Sequence, residues 1–294
     1  MAANLAREGF AVQSYDLKGN GSCNSIREAA RGAEILITML PDGDAVRDAV
    51  LSALPHLTAG CVVVDMSSSD PVGTRALGVV LESNGISFVD APVSGAVVGA
   101  RDATLAIMAG GEKSAFEKVR PVLEALGKSI FHVGPLGAGH AVKALNNYLG
   151  AAGTLAGFEA LLIAQAFELD PKPMLEAINA STGRNSTTER KIARDILTGA
   201  YASGFKLSLM TKDVAIAAAL AKDLKLKTPF LSETLRMWRE AKKTLAKDAD
   251  HSEIYKYQEN LAKPRSAGAR KNPAPSRGAA SRRPKKSRRR RRST

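Results

Sequence analysis

Between residues 34 and 134, short apolar runs recur at intervals: EILITML, CVVVDMS, ISFVDAPV, TLAIMAGG and SIFHVG. Runs this short and this continuous are what a strand buried on both faces requires. Amphipathic stretches with helix signals separate them. Ser25 and Glu28 form a capping box for a helix to Arg31, DAVRDAVLSAL has helical spacing, and Asp70 with Pro71 starts a helix to Ser83 that Gly85 ends. SAFEKVRPVLEALG supplies one more. Strands alternating with helices imply a mostly parallel sheet covered on both sides, an α/β doubly wound, Rossmann-like domain over residues 1–134. Its opening, MAANLAREGFAVQSYD, predicts a helix from Asn4 to Glu8, a stop at Gly9 and a strand from Phe10 to Tyr15 ending on Asp16. That is normally the close of a βαβ unit, so the first strand and its glycine turn are expected to be missing.

Beyond Gly134 the strand pattern stops. Residues 139–170 can form one helix, longer than usual and apolar on most faces. Helices are expected to follow at 173–181, 187–197, 210–224, 229–246 and 252–261, making residues 135–262 an all-helical domain built on the long linking helix. The run from Leu149 to Phe167 contains Glu159 and Gln165 among many Gly and Ala, which favours a buried helix over a membrane span. Cys23 and Cys61 have neither disulfide nor zinc spacing, so no metal and a reducing, cytoplasmic location are expected.

The net charge of +13 resembles a nucleic-acid signature until it is located. Residues 263–294 carry 14 of the 42 basic residues and none of the 29 acidic ones, so the remainder is nearly neutral. This polybasic tail is expected to be disordered. Polyanion binding is one reading of it; an unrelated extension from GC-rich DNA is the favoured one.

Ligands of an open parallel sheet bind where the strands end, which directs attention to MLPDGD, DMSSSDP and DAPVSGAVVGA. Asp16, at the end of its strand, stands where a carboxylate would accept from an adenosine ribose and so favour NAD over NADP. On the long helix, Lys143 and Asn147 are four apart and share a face. A lysine in such a segment either snorkels or, desolvated, becomes a proton donor and acceptor near neutrality. His140 is a rival base, more readily read as structural.

FVDAPVSGAVVGARDATLAIMAGG, GAGHAVKALNN and LMTKDV together closely resemble the β-hydroxyacid dehydrogenases, the family of 3-hydroxyisobutyrate dehydrogenase and tartronate semialdehyde reductase, related to 6-phosphogluconate dehydrogenase. The resemblance spans roughly residues 1–260. It implies an NAD-dependent oxidoreductase that interconverts a short 3-hydroxy acid and its semialdehyde. Lys143 would be the catalytic acid/base, Asn147 a substrate-orienting amide, and Ser94 and Gly95 the binders of the substrate carboxylate. Cofactor contacts would fall on Leu40, Pro41, Ser68, where Thr is commoner, and Lys212. The family commonly associates as homo-oligomers through its helical domain. Two positions depart from its pattern, Ala96 and Ala103, where glycine is usual, so the loop is expected to be stiffer or shifted. The alternative function is a truncated, inactive dehydrogenase-like protein whose tail binds nucleic acid or an acidic partner.

Overall fold

A central strand with no polar side chain before its last residue has to be covered on both sides, and β2 (Val62–Asp65) shows how. In the computed structural model, which describes residues 1–263, β2 is fully buried. Val62 and Val64 face a core shared with Leu105, Ile107, Phe116 and Val119; Cys61 and Val63 face another with Val46, Val50, Leu77 and Leu81. The period of two along the strand thus divides one apolar run between two cores.

Around β2 the sheet runs β1 (Ile35–Thr38), β2, β3 (Ser87–Asp90), β5 (Leu105–Gly110) and β4 (Val93–Ser94), with β6 (Gly127–Gly134) pairing β5. β1, β2 and β3 are parallel, as are β5 and β6. β5 lies antiparallel to β3, through the single pair Asp90 and Gly110, and antiparallel to β4. The sheet is therefore mixed: β3 and β4 run on in one direction along β5 in a single register, and the chain reverses only between Ser94 and Leu105, through the short helix α5 (Ala96–Arg101), without a full crossover.

Two short helices, α1 (Ala2–Arg7) and α2 (Ile26–Ala30), precede β1. The strand expected from Phe10 to Tyr15 does not form. Phe10 and Val12 do alternate onto the core that holds Leu5, Ile35 and Ile37, but the segment has no ladder partner. At Ser14 the backbone turns to local partners: its N–H donates to Ser22 Oγ at 3.0 Å and its carbonyl accepts from Cys23. Side-chain period alone cannot make a strand without a neighbouring backbone to bond.

The helix starts follow local chemistry. Ser25 Oγ accepts from Glu28 N–H, while the Glu28 carboxylate accepts from Asn24 N–H instead of the cap's own. Asp42 caps α3 (Gly43–Ala53), and Asp70 caps α4 (Pro71–Glu82) by accepting from Gly73 N–H. α6 (Lys113–Glu124) covers β5 and β6.

α7 (Ala138–Ala166) is long and apolar enough to cross a membrane by length and composition. Here it is the spine of the helical region. Ala151, Leu155, Phe158 and Leu161 pack with Val214 and Ala217 of α9 (Leu207–Asp223) and with Leu235 and Trp238 of α10 (Pro229–Thr244). Gln165 lies on its exposed side, where its side chain accepts from Tyr255 on α11 (Ile254–Ala262) at 2.8 Å. α8 (Pro171–Asn179) begins two residues before its expected start, since Asp170 caps it, and residues 187–196 wind as a π-helix, with Leu197 N–H reaching the Ile192 carbonyl. The basic tail from residue 264 onward lies outside the described residues.

Candidate active site

The carboxyl ends of β1 and β2 are knitted together by one side chain. Asp65, wholly buried, accepts from Thr38 Oγ1 and from Ser67 N–H on Oδ1, both at 2.9 Å, and from Ser69 Oγ on Oδ2 at 2.7 Å. Ser67 Oγ in turn accepts from Leu40 N–H at 2.8 Å. The loops that carry Leu40, Pro41 and Ser68 are thereby set side by side. Lys212, from α9 in the helical region, donates to the carbonyls of Pro41 at 3.0 Å and Ser68 at 2.8 Å.

One residue on, Asp213 turns back to α7. Asn147 Nδ2 donates to Asp213 Oδ2 at 2.6 Å, and Asn146 Nδ2 donates to Asn147 Oδ1 at 3.1 Å. These two bonds orient the Asn147 amide and leave it one N–H and one lone pair. Lys143, one turn earlier, is only 8% exposed. Burial lowers its pKa from the ordinary lysine value; Asp213 partly offsets this, and Lys212 pushes it further down. Burial raises the Asp213 carboxyl, against Lys212, the Asn147 hydrogen bond and Lys143. Its Oδ1 accepts no hydrogen bond and lies 3.5 Å from Lys212 Nζ.

At the head of α7, Asp90 accepts from Gly137 N–H and His140 N–H, each at 2.7 Å. His140 is enclosed between the two strand-end carboxylates, Nε2 lying 3.4 Å from Asp65 and Nδ1 lying 3.7 Å from Asp90. Thr74 Oγ1 lies 2.8 Å from its Nδ1 and donates to the Asp70 carbonyl, which casts Nδ1–H as the donor to Thr74. His140 is thus a packing and hydrogen-bonding hub with no open face.

Hydrogen bonds and chain adjacency join Leu40, Pro41, Ser68, Lys212 and Asn147 in one connected set, with Lys143 one turn before Asn147 and within electrostatic reach of Asp213 and Lys212. Ser94 and Gly95 stand on the loop that starts at Asp90. Asp16 stands apart in an exposed turn, its Oδ1 accepting from Lys18 N–H at 2.6 Å. At both glycine departures the backbone is left-handed, Ala96 at φ 54° and Ala103 at φ 53°, in the region that glycine enters freely. Sequence reasoning missed Asp65, Asp90 and Asp213. The first two end apolar runs, VVVD and FVD, at the ligand end of the sheet, which is the signal that could have singled them out.

Two family profiles account for most of the chain: the NAD binding domain of 6-phosphogluconate dehydrogenase over residues 1–134, and the NAD-binding of NADP-dependent 3-hydroxyisobutyrate dehydrogenase over residues 137–258. The 2-(hydroxymethyl)glutarate dehydrogenase of Eubacterium barkeri is 38% identical over 236 residues, covering 76% of this chain and 78% of its own. The chain belongs to the β-hydroxyacid dehydrogenase family. Like its 3-hydroxyisobutyrate dehydrogenase-like relatives, this family member is an NAD(P)-dependent oxidoreductase. The 3-hydroxyisobutyrate dehydrogenase of Mycobacterium tuberculosis, solved with L-serine, superposes with a TM-score of 0.82 at 29% identity, covering 87% of this chain and 94% of that one.

Two expectations are corrected by these likenesses. The reading of this dehydrogenase as N-terminally truncated is withdrawn: the first profile matches from residue 1, and the tuberculosis enzyme is covered over 94% of its length. Its sheet begins at Ile35 with two short helices before it, and the strand expected from Phe10 to Tyr15 does not form. The preference for NAD over NADP also fails. The second profile is that of an NADP-dependent enzyme.

The chemistry of the residues at this place is compatible with a dinucleotide cofactor. Backbone carbonyls at Pro41 and Ser68, the Ser68 hydroxyl and the Lys212 ammonium form a mixed donor and acceptor set at the carboxyl ends of the strands, suited to an amide and a phosphate-bearing ligand.

Proposed function

We propose that this protein oxidises a short 3-hydroxy acid, 3-hydroxyisobutyrate-like in size, to its semialdehyde, and runs the reverse reduction. The observation that carries the reading is Lys143: a lysine buried one turn from Asn147, its pKa lowered by burial, and tied through Asp213 and Lys212 to the strand-end loops. In this reading Leu40, Pro41, Ser68 and Lys212 hold the nicotinamide half of the cofactor, with residues 1–134 and 135–262 as the two domains that meet there. Bound at that place, the nicotinamide supplies or accepts a hydride.

The chain's own residues do the rest. Ser94 Oγ and the backbone N–H at Gly95 anchor the substrate carboxylate. Asn147, with its amide fixed by Asp213 and Asn146, turns its remaining N–H to the substrate hydroxyl. Neutral Lys143 takes the hydroxyl proton at Nζ during oxidation and returns it during reduction. The sign of the pH dependence follows: oxidation rises as Lys143 loses its proton and reduction falls, and because burial lowers the lysine, both changes come below the pH an ordinary lysine would give.

The relatives' names support the substrate class. 2-(Hydroxymethyl)glutarate, 3-hydroxyisobutyrate and L-serine all place a primary hydroxyl two carbons from a carboxylate. The test is a steady-state panel of these three acids with both NAD+ and NADP+. Turnover of at least one is expected, together with its loss on 2-methylpropane-1,3-diol, which carries a CH2OH group in place of the carboxylate of 3-hydroxyisobutyrate. Equal turnover of acid and alcohol would refute the carboxylate anchor.

A further inference from the structure

The substrate loop and the catalytic helix meet at one side chain. Asp90 ends β3, and four residues later in the chain stands Ser94. Its carboxylate caps α7 from 47 residues away, accepting from Gly137 N–H and His140 N–H at 2.7 Å each. Lys143 follows His140 by three residues, under one helical turn. The helix has no cap of its own, since its N-cap residue is Gly137, so the distant carboxylate does that work on free N–H groups at the positive end of the helix dipole.

A second, independent observation is the closeness of the seat. A Cβ added at Gly139 would meet the Met108 carbonyl at 2.2 Å, the Asp90 carbonyl at 2.8 Å and Asp90 Oδ2 at 2.9 Å. One added at Gly110 would meet Asp90 Oδ1 at 2.6 Å and Gly139 N at 2.8 Å. No side chain fits between the helix start and the strand ends. The position of α7 along and across the sheet is therefore set by contact with Asp90 to within a fraction of an ångström.

We infer that Asp90 is a positioning residue: by capping α7 while beginning the Ser94 loop, it holds Lys143 and the carboxylate-binding loop at a fixed separation. The inference rests on the functional reading above. Displacement of one reacting group by about 1 Å costs on the order of 100-fold in rate, so the loss should fall on the chemical step and not on cofactor binding.

The test compares wild type with Asp90→Asn, which keeps shape but sets an NH2 against one of the two N–H donors. Four measurements are made: kcat with the best acid of the panel, the dissociation constant for NAD(P)H by fluorescence, the deuterium isotope effect at the carbinol carbon, and amide exchange over residues 137–143. We expect kcat to fall about 10- to 100-fold, the cofactor dissociation constant to stay within about twofold, and exchange in the first turn to quicken about tenfold. The isotope effect should grow, because transfer geometry has become limiting; a variant that is merely partly unfolded would lose active fraction with the isotope effect unchanged. Gly139→Ala disturbs the same seat from the other side and should give the same pattern, with the double variant little worse than either single one. Should Asp90→Asn melt below the assay temperature, the same measurements are made on both proteins at a lower temperature at which the variant is folded. Unchanged kcat in both folded variants beside an active wild type overturns the positioning role alone, as does unchanged first-turn exchange. A wild type that turns over none of the acids defeats the functional reading and this role with it.

Discussion

Three aspartates of similar burial are used in opposite ways by the two regions of this molecule. In the sheet region, Asp65 accepts three hydrogen bonds and Asp90 two, all from groups whose positions they fix. In the helical region, Asp213 accepts one from Asn147 and keeps Oδ1 free of hydrogen bonds beside two lysines. Saturated carboxylates are rigid struts. An unsaturated one, in a place where desolvation is costly, is a group whose charge and bonding can respond to a ligand. The contrast separates the part of the site that holds geometry from the part proposed to handle protons.

That contrast can be broken most severely at Lys143. Lys143→Met should lower kcat by about 10²- to 10⁴-fold, the usual worth of a positioned acid or base, with the melting temperature unchanged or raised, since a buried ammonium is replaced by an apolar chain. Near-normal turnover would remove Lys143 from the mechanism. Asp65→Ala should act the other way round. It leaves the Thr38 and Ser69 hydroxyls and the Ser67 N–H buried without an acceptor, for a loss of about 3 kcal/mol and about 6–12 °C in melting temperature. A thermal scan that shows no drop would mean that Asp65 is no strut.

Asp213→Asn tests the responsive side at smaller scale. Removing its negative charge takes away the interaction that raises Lys143, so the pH at which oxidation half-rises should move lower, with melting temperature little changed. A shift to higher pH, or none, would contradict the coupling. The smallest effect is expected at Ala96, held at φ 54°. Ala96→Gly relieves the left-handed strain but loosens the unfolded chain, for a net gain of about 0.5 kcal/mol, readable as a slight rise in melting temperature with kcat intact.

Much of this architecture was legible from residues 34 onward because its causes are local. The run CVVVD has to be covered on both faces, and Asp70 before Pro71 places its helix start within a residue of the structure. The long helix at 138–166 ends where Phe167 and Glu168 leave the helix, Glu168 at φ 62°, a few residues short of the expected 170. Lys143 and Asn147 share a face by spacing alone. The segment from Phe10 to Tyr15 had the composition of a strand and is not one, since a strand also needs a neighbour's backbone, which composition does not report.

By itself, then, the order of residues determined which stretches are buried, where helices begin, and that a lysine and an amide lie on one face of a long apolar helix. Those properties depend on neighbours within a turn or on side-chain period. Only the tertiary structure decided that Asp90 caps a helix 47 residues away, that Lys212 reaches the carbonyls of Pro41 and Ser68, and that Asp213 faces Asn147 across 66 residues. The reason is physical: a hydrogen bond is specified to tenths of an ångström, while the hydrophobic burial that brings such distant groups together has no direction and leaves their pairing open until the chain has packed.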